Sequence, residues 1–223
     1  MVKGFVKSLK QLSDPRLKGV LRAGVLGALA LEILLWVILW QGVSLLHLFQ
    51  WEWLDTTLDV GALLAVMALG LWFFPVLATL IVGFFLERVA GAVEALHYPG
   101  LPPARQVGAF ESLGTAFRFL LASLGLNLLA LPFYFVPLLN LGVFLLLNGY
   151  LLGREYFELV AARRLAAGPM AQLRLANRGR LMLLGIAGAA LMAVPLVNLA
   201  APVLLTAWMV HVLQPLLEQE KTL

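Results

Sequence analysis

Four long stretches of this chain are almost free of charged side chains, and they determine its predicted architecture. Residues 23–51 carry only Glu32, and residues 60–86, 119–153 and 181–217 carry no charge. The first two stretches are longer than the roughly 20 residues that a membrane-spanning helix needs. The pattern therefore predicts two long transmembrane helices, at 15–50 and 58–98.

The third and fourth stretches are each interrupted by proline. Pro132 and Pro137 lie within the third, and Pro195 and Pro202 within the fourth; proline inside an apolar run ends or kinks a helix. Each stretch therefore predicts two arms of about 15 residues, or roughly 22 Å, which is shorter than a hydrocarbon core of about 30 Å. We expect two partly penetrating helical hairpins, 112–165 and 175–217, whose tips are covered by protein or line a water-filled cavity.

The positions of the basic residues predict the orientation. All 16 Lys and Arg lie within 3–22, 88–118, 154–180 or at position 221, whereas residues 41–59 have none and carry three acids. Basic residues favour the cytoplasmic side. Hairpins, and not single spans, place every basic cluster on one side, with both termini in the cytoplasm of a multi-pass membrane protein.

Residues 1–14 have the pattern of an amphipathic helix at a membrane interface. One predicted face carries Val2, Phe5, Val6, Leu9 and Leu12. Lys3, Lys7 and Lys10 lie largely off that face. With this segment included, residues 1–223 are predicted to form a single all-α membrane domain.

Composition and motifs exclude several classes of function. The chain is 62% hydrophobic and 13% charged, against roughly 45–50% and about 25% in soluble domains, which excludes a soluble enzyme or a nucleic-acid-binding module. There is no cysteine, so disulfides and thiolate metal sites are excluded. We find no P-loop, no catalytic constellation and no spaced metal ligands, and we expect no enzyme activity, no nucleotide, no cofactor and no metal.

A short internal repeat marks the predicted hairpin tips. Residues 136–141 (VPLLNL) recur as residues 194–199 (VPLVNL), 58 positions later. Matched proline breaks are typical of transport folds, and the alternative is a duplicated turn with a structural role alone. The candidate tip residues are Pro137, Asn140, Pro195 and Asn198, with each asparagine a candidate cap of the second arm.

The chain resembles the CysZ-like sulfate permeases, a bacterial inner-membrane family. The resemblance rests on the two tips, on residues 148–158 (NGYLLGREYFE), on residues 206–209 (TAWM) and on residues 84–94, and runs in order over nearly the whole chain. It implies two long membrane helices, two partly penetrating hairpins and a homo-oligomer. It also implies import of sulfate for cysteine synthesis.

The resemblance further implies a sulfate site before the first long helix. The family has a Gly-Leu-Arg-Arg run there, and this chain has Arg-Leu-Lys-Gly after Pro15, so lysine and glycine replace the two arginines. Lysine lacks the bidentate fork of arginine. The candidate sulfate-binding residues are Arg16, Leu17, Lys18, Gly19 and Arg22.

Elementary helix chemistry indicates the same place. Ser13 or Asp14 is a suitable N-cap and Pro15 is favoured at the first helical position; a helix begun there would present backbone N–H groups to an anion. The alternative is that the basic side chains set topology and contact anionic lipid.

Glu32 is the candidate proton-coupling residue, because an acid within a spanning segment is costly and is a functional hypothesis by default. Its alternative role is that of a structural partner for another helix. Candidate ion-pair residues at a cytoplasmic entrance are Glu87, Arg88, Arg154, Glu155 and Glu158. Alternatively, these charges simply anchor helix ends at the interface.

The sequence thus predicts an inner-membrane sulfate or oxyanion permease, driven by an ion gradient or passive. The alternatives are a membrane scaffold or assembly protein without transport, and a permease for a different anion. The expected partners are the oxyanion, the lipid bilayer and further copies of the chain.

Overall fold

The computed structural model describes residues 2–45, 61, 68, 74, 77–78, 81–194 and 196–221. Within these ranges the chain forms helices and turns and no strand. The helices are α1 (Val2–Gln11), α2 (Pro15–Leu45), α3 (Leu86–His97), α4 (Ala109–Tyr134), α5 (Pro137–Ala161), α6 (Ala167–Ala176), α7 (Arg178–Met192) and α8 (Val197–Lys221). The predicted all-α fold is confirmed.

Three segments among the described residues are long and apolar enough to cross a membrane. They are Pro15–Ile38 in α2, Leu113–Tyr134 in α4 and Val197–Gln219 in α8. The segments of α2 and α4 are mostly exposed, whereas that of α8 is mostly buried. Large exposed apolar faces of this kind are stable in lipid and not in water, so the protein is a membrane protein.

Helix α8 is the centre of the fold. It packs against α1, α2, α3, α5 and α7, and every residue from 201 to 214 is buried. A helix that is apolar on all sides is expected to be buried in this way. The hydroxyl of Thr206 is satisfied within the helix, because it donates to the carbonyl oxygen of Pro202 at 2.9 Å.

Glycines allow α5 and α7 to pack with their backbones in contact. A Cβ atom on Gly185 would overlap the carbonyl oxygen of Gly149, and one on Gly153 would overlap the carbonyl oxygen of Leu181. Gly149 and Gly153 form a Gly-x-x-x-Gly pair, the spacing that brings membrane helices close together. This contact joins the second arm of the first hairpin to the first arm of the second.

The first hairpin is α4 with α5, and the second is α7 with α8. Helices α4, α5 and α8 have 26, 25 and 25 residues, and α7 has 15. Three arms are thus longer than the predicted 15 residues or so. Helices α4 and α5 continue past the charged residues that were taken as their ends. Helix α8 is long because the second tip lies near the beginning of its apolar stretch, 181–217. Partial penetration of the membrane by the hairpins stays a prediction.

The predicted second long helix, 58–98, contains a turn. Residues 81–83 are helical, Phe84 and Phe85 form the turn, and α3 follows. The turn is closed by hydrogen bonds from the backbone N–H of Phe84 to Ile81 and of Phe85 to Val82, at 3.2 and 2.8 Å. Residues 46–60, and with them the end of the predicted first helix, lie outside the described residues.

The two repeated tips fold differently. The Asn140 side chain donates to the Tyr134 carbonyl at 3.3 Å and so links the two arms of the first hairpin. At the second tip Leu196 has φ 66°, and the helix begins two positions later than in the first copy. The Asn198 Oδ1 atom is buried without a hydrogen-bond partner among the described residues.

We predict that Gly185→Ala destabilises the protein, because the new methyl group overlaps the Gly149 carbonyl. Overpacking of this kind costs about 1–3 kcal/mol, which a lower thermal unfolding temperature in detergent would reveal. Gly142→Ala is the matched control, since a Cβ there meets nothing within 4 Å. Equal unfolding temperatures for the two variants would contradict the proposed packing role of Gly185.

Candidate functional site

The start of α2 is capped as its sequence predicts. The Arg16 backbone N–H donates to the Asp14 carboxylate at 2.8 Å, and the Lys18 N–H donates to the Asp14 carbonyl at 2.9 Å. Pro15 has no N–H to offer. The cap therefore uses much of the hydrogen-bonding capacity of this terminus, and an anion near it must be held chiefly by side chains.

A cleft between α2 and α3 brings basic side chains from both helices together. It has a volume of about 420 Å³, and the described charged residues that line it are Arg16 and Arg88. Neither forms an ion pair with another described residue. The Arg88 guanidinium lies 5.0 Å from the centre of the Phe85 ring, a cation–π contact that orients it.

The predicted sulfate-binding residues divide into two groups around this cleft. Arg16, Leu17 and Gly19 line it. Lys18 and Arg22 do not belong to its lining. A Cβ on Gly19 would meet nothing within 4 Å, so the position where the family resemblance expects a second arginine is open space in this chain.

Glu32, the proton-coupling candidate, is a buried acid of α2. The residue is 6% exposed, and its Oε2 atom has no hydrogen-bond partner among the described residues. One helical turn further on, the Trp36 Nε1 atom is also buried without a described partner. Buried polar atoms of this kind are uncommon and call for a functional or structural explanation.

Glu94 of α3 clamps the end of α5. Its Oε2 atom lies 2.9 Å from Arg163 Nη2 and 2.6 Å from Arg164 Nη2, and its Oε1 atom accepts from Arg164 Nε at 3.0 Å. The Glu94 side chain is 5% exposed. Arg163 also reaches the exposed Glu87, at 3.2 Å.

Arg105 holds the segment between α3 and α4 in place. Its backbone N–H donates to the Arg163 carbonyl at 2.8 Å, and its guanidinium forms a bidentate pair with Glu111 at 3.0 and 2.5 Å. The hydrogen bond from Arg105 lowers the pKa of the Glu111 carboxyl from its ordinary value of 4.5. The Arg164 side chain also contacts the Pro102 carbonyl in this segment.

A larger cavity, of about 860 Å³, lies among α3, α4, α5 and α6. Its charged lining residues are Glu87, Arg105, Glu111, Glu155, Glu158 and Arg163. The entrance candidates Glu87, Glu155 and Glu158 therefore lie together. Because this lining has more acids than bases, it suits a bound anion less than the α2–α3 cleft does.

The other two entrance candidates, Arg88 and Arg154, do not belong to this lining. Arg88 lines the α2–α3 cleft, and Arg154 pairs with Glu158 at 2.8 Å. Arg154 also lies 5.7 Å from the centre of the Phe119 ring. Arg174 of α6 reaches the same Glu158 oxygen at 3.4 Å.

The Glu94 clamp and the Arg105–Glu111 pair were not predicted from the sequence. Glu94 lies 69 residues from Arg163, so no local spacing indicated their contact. The available signal was weak: Glu94 follows Ala90 and Val93 on the apolar side of an amphipathic segment, where an unpaired acid would be costly.

We predict that Glu94→Gln is strongly destabilising, because it leaves the largely buried Arg164 without a carboxylate and Arg163 with the exposed Glu87 alone. Breaking a buried pair costs about 3–5 kcal/mol, measured as a drop in thermal unfolding temperature. Glu87→Gln is the control, since that exposed pair contributes about 1 kcal/mol or less. A larger effect of the control would contradict the clamp.

We predict that acid releases the segment 101–108. Because the folded pKa of Glu111 is lowered from 4.5, its stabilisation is present above that pH and is lost as the pH falls through the folded pKa. The protection of amides in this segment against hydrogen exchange, corrected for the intrinsic pH dependence of amide exchange, should fall below pH 4.5. Glu111→Gln should show low protection at every pH, and a pH dependence of protection equal to that of the native chain would contradict the prediction.

Comparison with known proteins assigns the chain to a family. A search of curated proteins gives no match. The family model described as "Sulfate transporter CysZ/Etoposide-induced protein 2.4" matches residues 4–202, a range that includes both sides of the α2–α3 cleft, the Glu94 clamp and both hairpin tips. The chain therefore belongs to the CysZ and etoposide-induced protein 2.4 family of membrane proteins.

Proposed function

We propose that this protein is a permease that admits sulfate or a closely related oxyanion across the bacterial inner membrane. The observation that carries the proposal is the α2–α3 cleft, where Arg16 and Arg88 are the charged described lining residues. Family membership supports a sulfate-transporter-like role. The supply of sulfate for cysteine synthesis is part of the same proposal.

The chemistry of the cleft suits a tetrahedral dianion. Two guanidinium groups match its two charges, and each can donate two parallel hydrogen bonds to a pair of its oxygens. The volume of about 420 Å³ leaves room for the ion with several waters, since each water occupies about 30 Å³. Partial hydration suits a transport site, which must release its ion as well as bind it.

In this proposal Arg88 supplies the second guanidinium that the sequence of α2 lacks. Gly19 has no side chain and Lys18 is outside the cleft lining, so α2 offers one arginine to the bound ion. Arg88 stands on the facing helix and has no described acidic partner. Lys18 and Arg22 would act at longer range, by raising the local concentration of anions.

The rest of the transport route is proposed around this site. A route driven by protons would use Glu32, the buried acid of the same helix. Because one small chain leaves little room for an enclosed aqueous path, we propose a homo-oligomer whose copies share the route, with both termini in the cytoplasm. The exposed apolar face of α4 would contact lipid or a neighbouring copy.

The second candidate is a scaffold that keeps the fold without transport. The capped N-terminus of α2 and the missing side chain at Gly19 favour it. A permease for another oxyanion is the third candidate, and it differs from the first only in which anion binds most tightly.

We predict that purified native protein binds sulfate saturably in isothermal titration calorimetry, with chloride and phosphate as competitors. Arg16→Ala and Arg88→Ala should each weaken binding about tenfold or more, since each removes charge-assisted hydrogen bonds. Lys18→Ala is the matched control, because it removes the same charge two positions from Arg16 but outside the cleft lining.

Each other outcome of this titration is informative. Loss of sulfate binding in Lys18→Ala alone would indicate that the ion binds at the residues of the family motif, and would contradict the proposal that it binds in the α2–α3 cleft. Tighter binding of phosphate than of sulfate would indicate that phosphate, and not sulfate, is the transported anion. Absence of binding of every anion by a folded, monodisperse sample would favour the scaffold.

A further inference from the structure

Helix α1 packs against the protein through a small and polar stripe and through the Phe5 ring. The buried stripe, with positions spaced as on one helical face, consists of the half-buried Gly4 and the buried Ser8 and Gln11. A Cβ on Gly4 would lie 3.2 Å from His211 Cβ and 3.3 Å from Trp208 Cδ1. The small and polar stripe of α1 therefore contacts α8, together with Phe5, whose ring centre lies 4.9 Å from that of Trp208.

Three apolar residues of α1 point away from the protein, whereas Phe5 and Leu12 of the same predicted face are half-buried against the core. Val2, Val6 and Leu9 are 76%, 45% and 45% exposed, and at about 100° per residue they lie roughly opposite the buried stripe. In water this arrangement would be unfavourable. It is the arrangement expected of a helix whose outer side enters the apolar part of a membrane.

The lysines form a third stripe between these two. Lys7 and Lys10 line a cleft of about 320 Å³ at the junction of α1, the start of α2 and the end of α3. The other lining residues are Gln11, Asp14, Leu96 and His97. Leu96 is 51% exposed and extends the apolar surface beside the cleft.

Gln11 brings an unused hydrogen-bond donor to this cleft. The residue is 5% exposed, and its Nε2 atom has no partner among the described residues. Its Oε1 atom lies 3.2 Å from His211 Nε2, and His211 Nδ1 lies 2.9 Å from the Tyr98 hydroxyl. In this orientation of the Gln11 amide, His211 Nε2 donates to Oε1, His211 Nδ1 accepts from the Tyr98 hydroxyl, and the Gln11 N–H groups stay free.

We propose that this cleft binds the phosphate group of a membrane phospholipid. Lys7, Lys10 and the Gln11 amide supply donors to the phosphate oxygens, and the exposed stripe of Val2, Val6 and Leu9 accompanies the acyl chains. Apart from His97, the charged residues of the lining are two lysines and Asp14, a net charge of about +1, which matches the single charge of a phosphodiester. The apolar stripe favours a lipid over free phosphate as the source of that group.

The test uses purified protein in a phosphate-free maltoside detergent, titrated with dioctanoyl-phosphatidylglycerol. We expect saturable binding of one lipid per chain. Dioctanoylglycerol, which lacks the phosphate, should bind much more weakly, and so should inorganic phosphate, which lacks the chains. Equal binding of dioctanoylglycerol would overturn the phosphate site, and equal binding of inorganic phosphate would overturn the assignment to lipid.

Substitutions of the lysines test where the lipid binds. Since each lysine near a phosphate contributes a factor of about five, Lys7→Gln with Lys10→Gln should weaken lipid binding about 25-fold. Lys3→Gln with Lys18→Gln removes the same charge outside the cleft lining and is the matched control. An equal loss of lipid affinity in the two double variants would show that general surface charge causes the effect, and would contradict the proposed binding site.

Gln11→Glu tests the buried donor. It keeps an acceptor for His211 and replaces the free N–H groups with an oxygen that repels phosphate, so lipid binding should be weaker than in the Lys3→Gln, Lys18→Gln control. Unchanged lipid binding in a folded Gln11→Glu sample would contradict the proposal. Sulfate binding should be unchanged in the Lys7→Gln, Lys10→Gln variant, which separates this proposal from the α2–α3 permease site.

Discussion

A helix that is buried on all sides can satisfy its polar side chains only through itself or the helices around it, and α8 is such a helix. Thr206 is satisfied within α8, whereas His211 depends on Tyr98 after α3 and on Gln11 of α1. The same constraint therefore docks two outer elements against the core. The α2–α3 cleft has α3 as one wall, so its geometry depends on this buried helix.

Some arginines of this protein are held in ion pairs, whereas two that have no ion pair with another described residue face the same cleft. Arg163 and Arg164 form ion pairs with Glu94, which fixes the end of α5. Arg105 forms an ion pair with Glu111, which fixes the segment after α3. Arg16 and Arg88 have no such partners among the described residues. Unpaired guanidinium groups facing one cleft are the ones available to a dissolved anion.

Local chemistry was readable from the sequence, and contacts between distant residues were not. The cap by Asp14, the proline at the first position of α2 and the breaks at the hairpin tips follow from neighbouring residues alone. The position of Arg88 opposite Arg16 depends on how α3 docks against α2, which no local pattern of residues specifies. Sequence also assigned the apolar face of α1, but not that Ser8 and Gln11 on its other side would be buried, since this depends on contacts with α8 such as that of Gln11 with His211.

If Arg16 and Arg88 jointly hold an oxyanion, a crystal structure with selenate should show it, because selenium scatters anomalously. We expect an anomalous peak in the α2–α3 cleft, with selenate oxygens about 3 Å from nitrogen atoms of both guanidinium groups. A peak at the α1 lysines alone, or an empty cleft at a selenate concentration that saturates binding in solution, would contradict it.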